Sequence, residues 1–294
     1  MFVVAGASSK TGRVVAETLL LQGKKVRVLV RDALGADAWR ERGAEVTFAA
    51  LEDGPALARA IEGATGFYAL LPETFAGEDF HPHRRRMADA IAGAVKAGRV
   101  SHVVFLSAAA AVLPDGNGPA KDLHFAENAL RATDTTVSVI RASYFQENIL
   151  AALPAARHEG IYPSFFPSAD LAFPTVATRD VGKLAARCFS EPPAQSEVID
   201  LVGPMYSVRQ LAAKLGAALG RELRVVDVPV SAHVEVLTVQ AGLPKQMAEA
   251  VAEMFACLAS GRVVARGDRM VPGTTTLDEI LPALLAARPS TGIP

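Results

Sequence analysis

Two cysteines in 294 residues, Cys188 and Cys257, are too few for a disulfide framework and too far apart for a zinc motif. They favour a reducing compartment and read as small buried hydrophobes. Net charge is nearly absent: 30 basic residues face 31 acidic ones, so neither a disordered charged tail nor an electrostatic grip on nucleic acid is expected. No run approaches about 18 consecutive apolar residues, and the N-terminus has no basic stretch ahead of a long apolar one. The reading is therefore no membrane span, no secretion signal and a cytoplasmic location. Internal repeats and low-complexity segments are missing too. Half the residues are apolar, enough for a sizeable core in one large α/β unit or in roughly two domains of about 150 residues each.

Along the first half, short β-rich runs alternate with longer helical patterns, the sequence signature of a parallel sheet with crossover helices. Strands are expected at 2–5, 26–30, 45–48, 66–71, 102–107 and 137–141. Most are apolar without alternation, as strands covered on both faces are. Helices are expected at 12–21, 37–42, 56–62, 84–97 and 124–132. Past Arg141, Pro154, Gly160, Pro163, Pro167 and Pro174 break up a stretch bearing Tyr162, Phe165 and Phe166, which reads as an excursion into a second lobe. A helix at 178–190 and a strand at 197–202 follow. Ser207 and Gln210 have capping-box spacing ahead of an apolar-periodic helix that stops near Gly216 or Gly220. A strand at 223–228, a helix at 245–259 and a closing helix at 276–287 complete the chain, Thr276 and Glu279 repeating the capping-box spacing. The expected fold is α/β, a doubly wound parallel sheet of the Rossmann type with a smaller C-terminal α/β lobe. Residues 1–150 would form the nucleotide-binding domain and 151–294 mainly the substrate lobe, with about 176–202 returning to the first.

The run Val3-Val4-Ala5-Gly6-Ala7-Ser8-Ser9-Lys10-Thr11-Gly12 joins the first strand to the first helix. A dinucleotide's pyrophosphate needs a tight turn, a close backbone approach and a helix N-terminus facing the anion. Gly6 and Gly12 meet the first and last needs, and Ser9 holds the middle position, where its hydroxyl is placed to donate to a phosphate. A Walker-type loop would need glycines where Ser9 and Val4 stand. Counting on from Gly12, the place about 20 residues later that carries an acid in NAD-binding folds is met by Arg31. A guanidinium suits the 2′-phosphate of NADPH better than the 2′-hydroxyl of NADH, Lys10 adding a second positive charge and Asp32 remaining as a ribose ligand.

With these residues in view, the chain resembles the NmrA-like group of atypical short-chain dehydrogenases, which includes NAD(P)H:quinone oxidoreductases and nucleotide-sensing regulators. The likeness spans nearly the whole length. It rests on residues 3–31, on Val103-Val104-Phe105-Leu106-Ser107, and above all on Ile140-Arg141-Ala142-Ser143-Tyr144-Phe145-Gln146-Glu147-Asn148. Thr178-Arg179-Asp180-Val181, Val202-Gly203-Pro204 and Gly273-Thr274-Thr275-Thr276-Leu277 add to it. The resemblance implies that Gly6, Ser8, Ser9, Lys10, Thr11, Gly12 and Arg31 surround the adenosine and phosphates. It puts Leu71 and Pro72 beside the nicotinamide ribose, Ser107 and Ala108 at the active end of the fifth strand, and Tyr144, Phe145 and Asn148 along the pocket. Where the family often has an aspartate after the third strand, this chain has Ala50.

A second departure concerns chemistry. The wider superfamily reduces ketones with a tyrosine followed four residues later by lysine, but Tyr68, Tyr144, Tyr162 and Tyr206 are followed at that spacing by Pro72, Asn148, Phe166 and Gln210. Leu123 stands at or near the lysine's place, with His124 beside it. An electron-poor quinone or similar aromatic acceptor demands less of the protein, because the nicotinamide supplies the reducing power. His124 or Tyr144 would deliver the proton, with Ser107 at the strand end, and Phe145, Tyr162, Phe165 and Phe166 would either wall the acceptor or fill a core. The alternative is an NADP(H)-binding sensor without turnover. No metal site is expected, and the run His81-Pro82-His83-Arg84-Arg85-Arg86 reads as a solvated helix face. The expected partner is a small acceptor molecule, with a homodimer as the oligomer considered.

Overall fold

In the computed structural model, which describes residues 1–31, 33, 35–72 and 79–286, the alternation of apolar runs and amphipathic stretches resolves into repeated strand-helix units. The first half runs β1 (Phe2–Val4), α1 (Lys10–Leu21), β2 (Val26–Val30), α2 (Ala36–Glu41), β3 (Glu45–Phe48), α3 (Gly54–Ile61), β4 (Gly66–Leu70), α4 (Phe80–Gly98), β5 (His102–Ala108), α5 (Ala120–Arg131) and β6 (Thr136–Ala142). The second half runs β7 (Tyr144–Phe145), α6 (Leu153–His158), β8 (Ile161–Ser164), β9 (Ala172–Val176), α7 (Thr178–Ser190), β10 (Glu197–Val202) and β11 (Met205–Ser207). It continues with α8 (Val208–Leu219), β12 (Arg224–Asp227), α9 (His233–Val239), α10 (Lys245–Ala259), β13 (Arg269–Pro272) and α11 (Leu277–Ala286).

Eight strands form the main sheet in the order β13-β10-β6-β5-β4-β1-β2-β3, and every adjacent pair is parallel. β4 shows why the apolar runs lack alternation. Phe67 and Ala69 pack into one core with α3, α4 and α5, whereas Tyr68 and Leu70 pack into the opposite core with α1, α2 and α7. Both faces are covered, so both sets of side chains are apolar. The fold is thus doubly wound and Rossmann-like, as the sequence implied. Strand order reverses between β1 and β4, and in open sheets of this kind the ligand crevice lies beyond the carboxyl ends of the strands at that reversal.

A third core, containing Tyr162, Phe166, Phe173, Leu211, Leu215, Phe255 and Leu281, belongs to the smaller lobe. There β11-β9-β7 and β12-β8 make two small sheets. The broken stretch after Arg141 holds two strands, β8 and β9, that its prolines and glycine concealed. Pro163 is tolerated because each strand of a two-stranded sheet is an edge. The chain rejoins the main sheet twice, through β10 and again through β13. The second return is not evident from sequence, since β13 is a four-residue edge strand. Its position is fixed from outside by Arg269 on Glu197, at 2.7 and 3.0 Å, and by the Asp268 carboxylate on the amide of Val198 at 2.7 Å. Among the described residues no helix is long and apolar enough to cross a membrane.

Candidate active site

The turn after β1 is built by its glycines. Gly6 has φ +63°, and its carbonyl accepts from the amide of Ser9 at 2.8 Å. Gly12 sits against that same carbonyl so closely that a Cβ would lie 2.3 Å from the oxygen of Gly6. No Cβ fits there between α1 and the end of β1, the close helix–strand packing that a dinucleotide-binding turn needs, so the residues fit a pyridine dinucleotide. The Ser9 side chain caps α1, accepting from the amide of Gly12 at 3.1 Å. The amides of Lys10 and Thr11, at the first positions of α1, have no intrahelical partner to bond. Ser8 is exposed, Lys10 half-buried and Thr11 buried. Beneath Thr11, Tyr68 is fully buried, and loss of water pushes its hydroxyl far above the usual tyrosine range.

Arg31 is exposed just past β2, on the same carboxyl edge of the sheet as this turn. Asp32 lies outside the described residues. On the other side of the reversal, Leu71 and Pro72 leave β4, and their carbonyls accept from Arg84 Nη1 at 3.4 and 2.9 Å. Ser107 and Ala108 end β5. The structure thus brings the Gly6–Gly12 turn, Arg31, Leu71, Pro72, Ser107 and Ala108 to one edge of the sheet.

Ser107 is committed to a buried network that the sequence did not reveal. Its hydroxyl donates to Glu127 Oε1 at 2.5 Å, and the same carboxylate takes Arg141 Nε at 3.0 Å and Nη2 at 2.6 Å. Glu127 is 2% exposed. Although desolvation opposes it, the Glu127 carboxylate holds Arg141 above its ordinary range. His124 Nδ1 lies 2.8 Å from the carbonyl of Ala111, which only accepts, so Nδ1 carries the proton and Nε2 is left for other work. Tyr144 is half-buried, edge-on to Phe173 with ring centroids 5.5 Å apart.

The aromatic residues pack chiefly on one another. Phe165 stacks on Phe255 at 5.0 Å and Phe166 on Phe173 at 4.5 Å, Tyr162 is buried in the lobe core, and Phe145 packs against the core of the main sheet. Asn148 is exposed. The adjoining residues are fasteners. Glu147 accepts from the amide and hydroxyl of Thr178 at 2.9 and 2.6 Å, and Asp180 accepts from the amide and hydroxyl of Thr275 at 2.8 and 2.6 Å. Three segments far apart in sequence are bolted together there.

The basic run at the start of α4 departs from the reading of a solvated face. Arg85 and Arg86 are exposed, but Arg84 is 1% exposed and His83 is buried. Asp122 on α5, fully buried, explains the difference. It accepts from His81 Nδ1 at 2.7 Å, Arg84 Nε at 3.2 Å and Arg85 Nε at 3.4 Å. Beside it, a cavity of about 550 Å³ opens where α4 and α5 meet α10, lined by Phe80, His81, Lys121, Gln246 and Glu253 among others. Across this junction the amide of Phe80 donates to Gln246 and that of Gly118 to Glu253, at 3.0 and 2.9 Å.

Comparison with known proteins gives a consistent picture. The NmrA-like family matches residues 1–280. Quinone oxidoreductase 2 of Escherichia coli is 26% identical over 259 residues, covering 86% of each chain. A (4-alkanoyl-5-oxo-2,5-dihydrofuran-3-yl)methyl phosphate reductase of Streptomyces griseus is 29% identical over 252 residues, covering 85% of this chain and 84% of the relative. Among solved structures, an NADPH-dependent quinone oxidoreductase from Escherichia coli complexed with NADPH superposes with a TM-score of 0.79. It is 23% identical, over 97% of this chain and all of that one.

Proposed function

The chain belongs to the NmrA-like family, and from that premise we propose that it is an NADPH-dependent oxidoreductase acting on a quinone or a similarly conjugated small acceptor. The observation that carries the proposal is the Gly6–Gly12 turn, whose left-handed Gly6 and close-packed Gly12 set the N-terminus of α1, with its first amides outside the intrahelical ladder, at the carboxyl end of β1. Two relatives, one named an oxidoreductase and one a reductase, and a structural neighbour holding NADPH support the same reading.

In this proposal the amides of Lys10 and Thr11 and the positive end of α1 hold the diphosphate, and Arg31 takes the 2′-phosphate. Leu71, Pro72 and Ala108 wall the nicotinamide side. Bound NADPH supplies the hydride. Ser107 donates its hydroxyl proton in a hydrogen bond to Glu127, so its work is to hold the end of β5 in place. In this reading the proton for the reduced oxygen comes from the His124 imidazole, protonated at Nε2 as well as Nδ1, or from the hydroxyl of Tyr144. With no tyrosine-lysine pair to polarise an ordinary ketone, the acceptors are those already electron-poor. Nucleotide binding by residues 1–150 and acceptor binding mainly by 151–294 belong to the same proposal.

Loss of NADPH absorbance on adding simple benzoquinones and naphthoquinones tests it. Steady turnover is expected, with kcat reduced about tenfold in His124→Gln and KM for NADPH unchanged; the low end of general acid catalysis is a factor of about 100, and Tyr144 shares the proton delivery. The missing tyrosine-lysine pair also favours a second reading, in which NADP(H) occupancy alters contacts with a partner protein. Tight NADPH binding with no turnover across the quinone panel would support that reading and overturn the quinone reductase.

A further inference from the structure

Arg84 keeps its side chain 1% exposed and spends its hydrogen bonds within the fold. Its Nη1 donates to the carbonyls of Leu71 and Pro72, where the chain leaves β4, and its Nη2 lies 3.5 Å from the carbonyl of Pro119, just before α5. Its Nε faces the Asp122 carboxylate, itself without exposed surface, and the guanidinium carbon lies 5.3 Å above the ring of Phe80. A buried charge on this scale is costly unless every donor is engaged. Here the engaged acceptors belong to two places, the exit of β4 and the start of α5. The first of these forms one wall of the crevice at the strand-order reversal; the Gly6 turn forms the other.

We propose that Arg84, held by Asp122, is a positioning residue that fixes the Leu71–Pro72 segment as the wall against which the nicotinamide end of the cofactor is seated. The adenosine end is held elsewhere, by the Gly6–Gly12 turn and Arg31. A planar fork reaching three carbonyls and a carboxylate is beyond what a lysine can reproduce, so charge alone does not restore the arrangement. The proposal rests on NADPH being the cofactor, and it assigns to Arg84 an effect on one half of that molecule only.

The test compares NADPH with 2′-phospho-ADP-ribose, which keeps the adenosine, the 2′-phosphate and the diphosphate and lacks the nicotinamide. Affinities are measured by calorimetry for the wild type, Arg84→Lys and Asp122→Asn. In Arg84→Lys the Kd for NADPH is expected to rise about tenfold and that for 2′-phospho-ADP-ribose to change less than twofold. Asp122→Asn should show the same selective loss, and it decides the matter alone if Arg84→Lys does not fold. Equal weakening of both ligands, or no change in either, would overturn the positioning role while leaving the assignment of NADPH as the cofactor standing. A wild type that binds neither ligand would overturn the cofactor reading and this proposal together.

Discussion

At Arg31 a single side chain sets the expected choice between two cofactors that differ by one phosphate. Hydrogen bonds to a charged partner contribute about 1.5–3 kcal/mol, which corresponds to a loss of roughly tenfold to a hundredfold in NADPH affinity for Arg31→Ala. NADH affinity should stay where it was. The check is the ratio of the two dissociation constants in wild type and variant; equal affinities in the wild type would remove Arg31 from the site. The places of Gly12 in the first turn of α1 and of Arg31 just past β2 were legible in the sequence because they depend on spacing along neighbouring strand-turn-helix units. Arg84 was not. It stands in a run with Arg85 and Arg86, and only the packing of α5 against α4, which brings in Asp122, separates the buried arginine from its exposed neighbours. Glu127 was hidden for the same reason, its partners coming from β5 and β6.

Among the elements, those with apolar periodicity and their own caps were readable to within a few residues. α8 has both legs of the box between Ser207 and Gln210 and ends at Gly220 in the left-handed region. At the start of α11, the amide and hydroxyl of Thr276 donate to Glu279, lowering its carboxyl. β13, β9 and β8 escaped because they are short and their register is dictated by partners, not by their own pattern. The junction of α5, β5 and β6 is where a single change should cost the most. Glu127→Ala leaves Arg141 buried without its counter-charge, and breaking such a pair costs about 3–5 kcal/mol. Urea unfolding should show that loss. A variant within about 1 kcal/mol of wild type would mean that the pair behaves as though it were at the surface.

Over the whole molecule, the sheet carries its own response to acid. His102, on the central strand β5, is buried with Nε2 3.0 Å from the hydroxyl of Ser138, and burial lowers its pKa to about 4. An unfolded histidine titrates near 6.5, so between these values the unfolded chain binds the proton and the folded one does not. Stability present above about pH 6.5 is therefore lost as the pH falls toward 4, by on the order of 2 kcal/mol between neutrality and pH 5. Thermal midpoints at the two pH values should fall further apart for the wild type than for His102→Gln. The same acid loss in both would assign the effect to other groups.

Cofactor, hydride transfer and the positioning of the nicotinamide all depend on the opening turn holding a pyridine nucleotide by its diphosphate. Calorimetric titration of NADPH into the wild type and Gly12→Ala tests this most directly, because a methyl group there would press on the carbonyl of Gly6 from 2.3 Å. Saturable binding at one site per chain, lost in a Gly12→Ala variant that still folds, is the predicted result. No heat in the wild type, or undiminished binding in the folded variant, would contradict it.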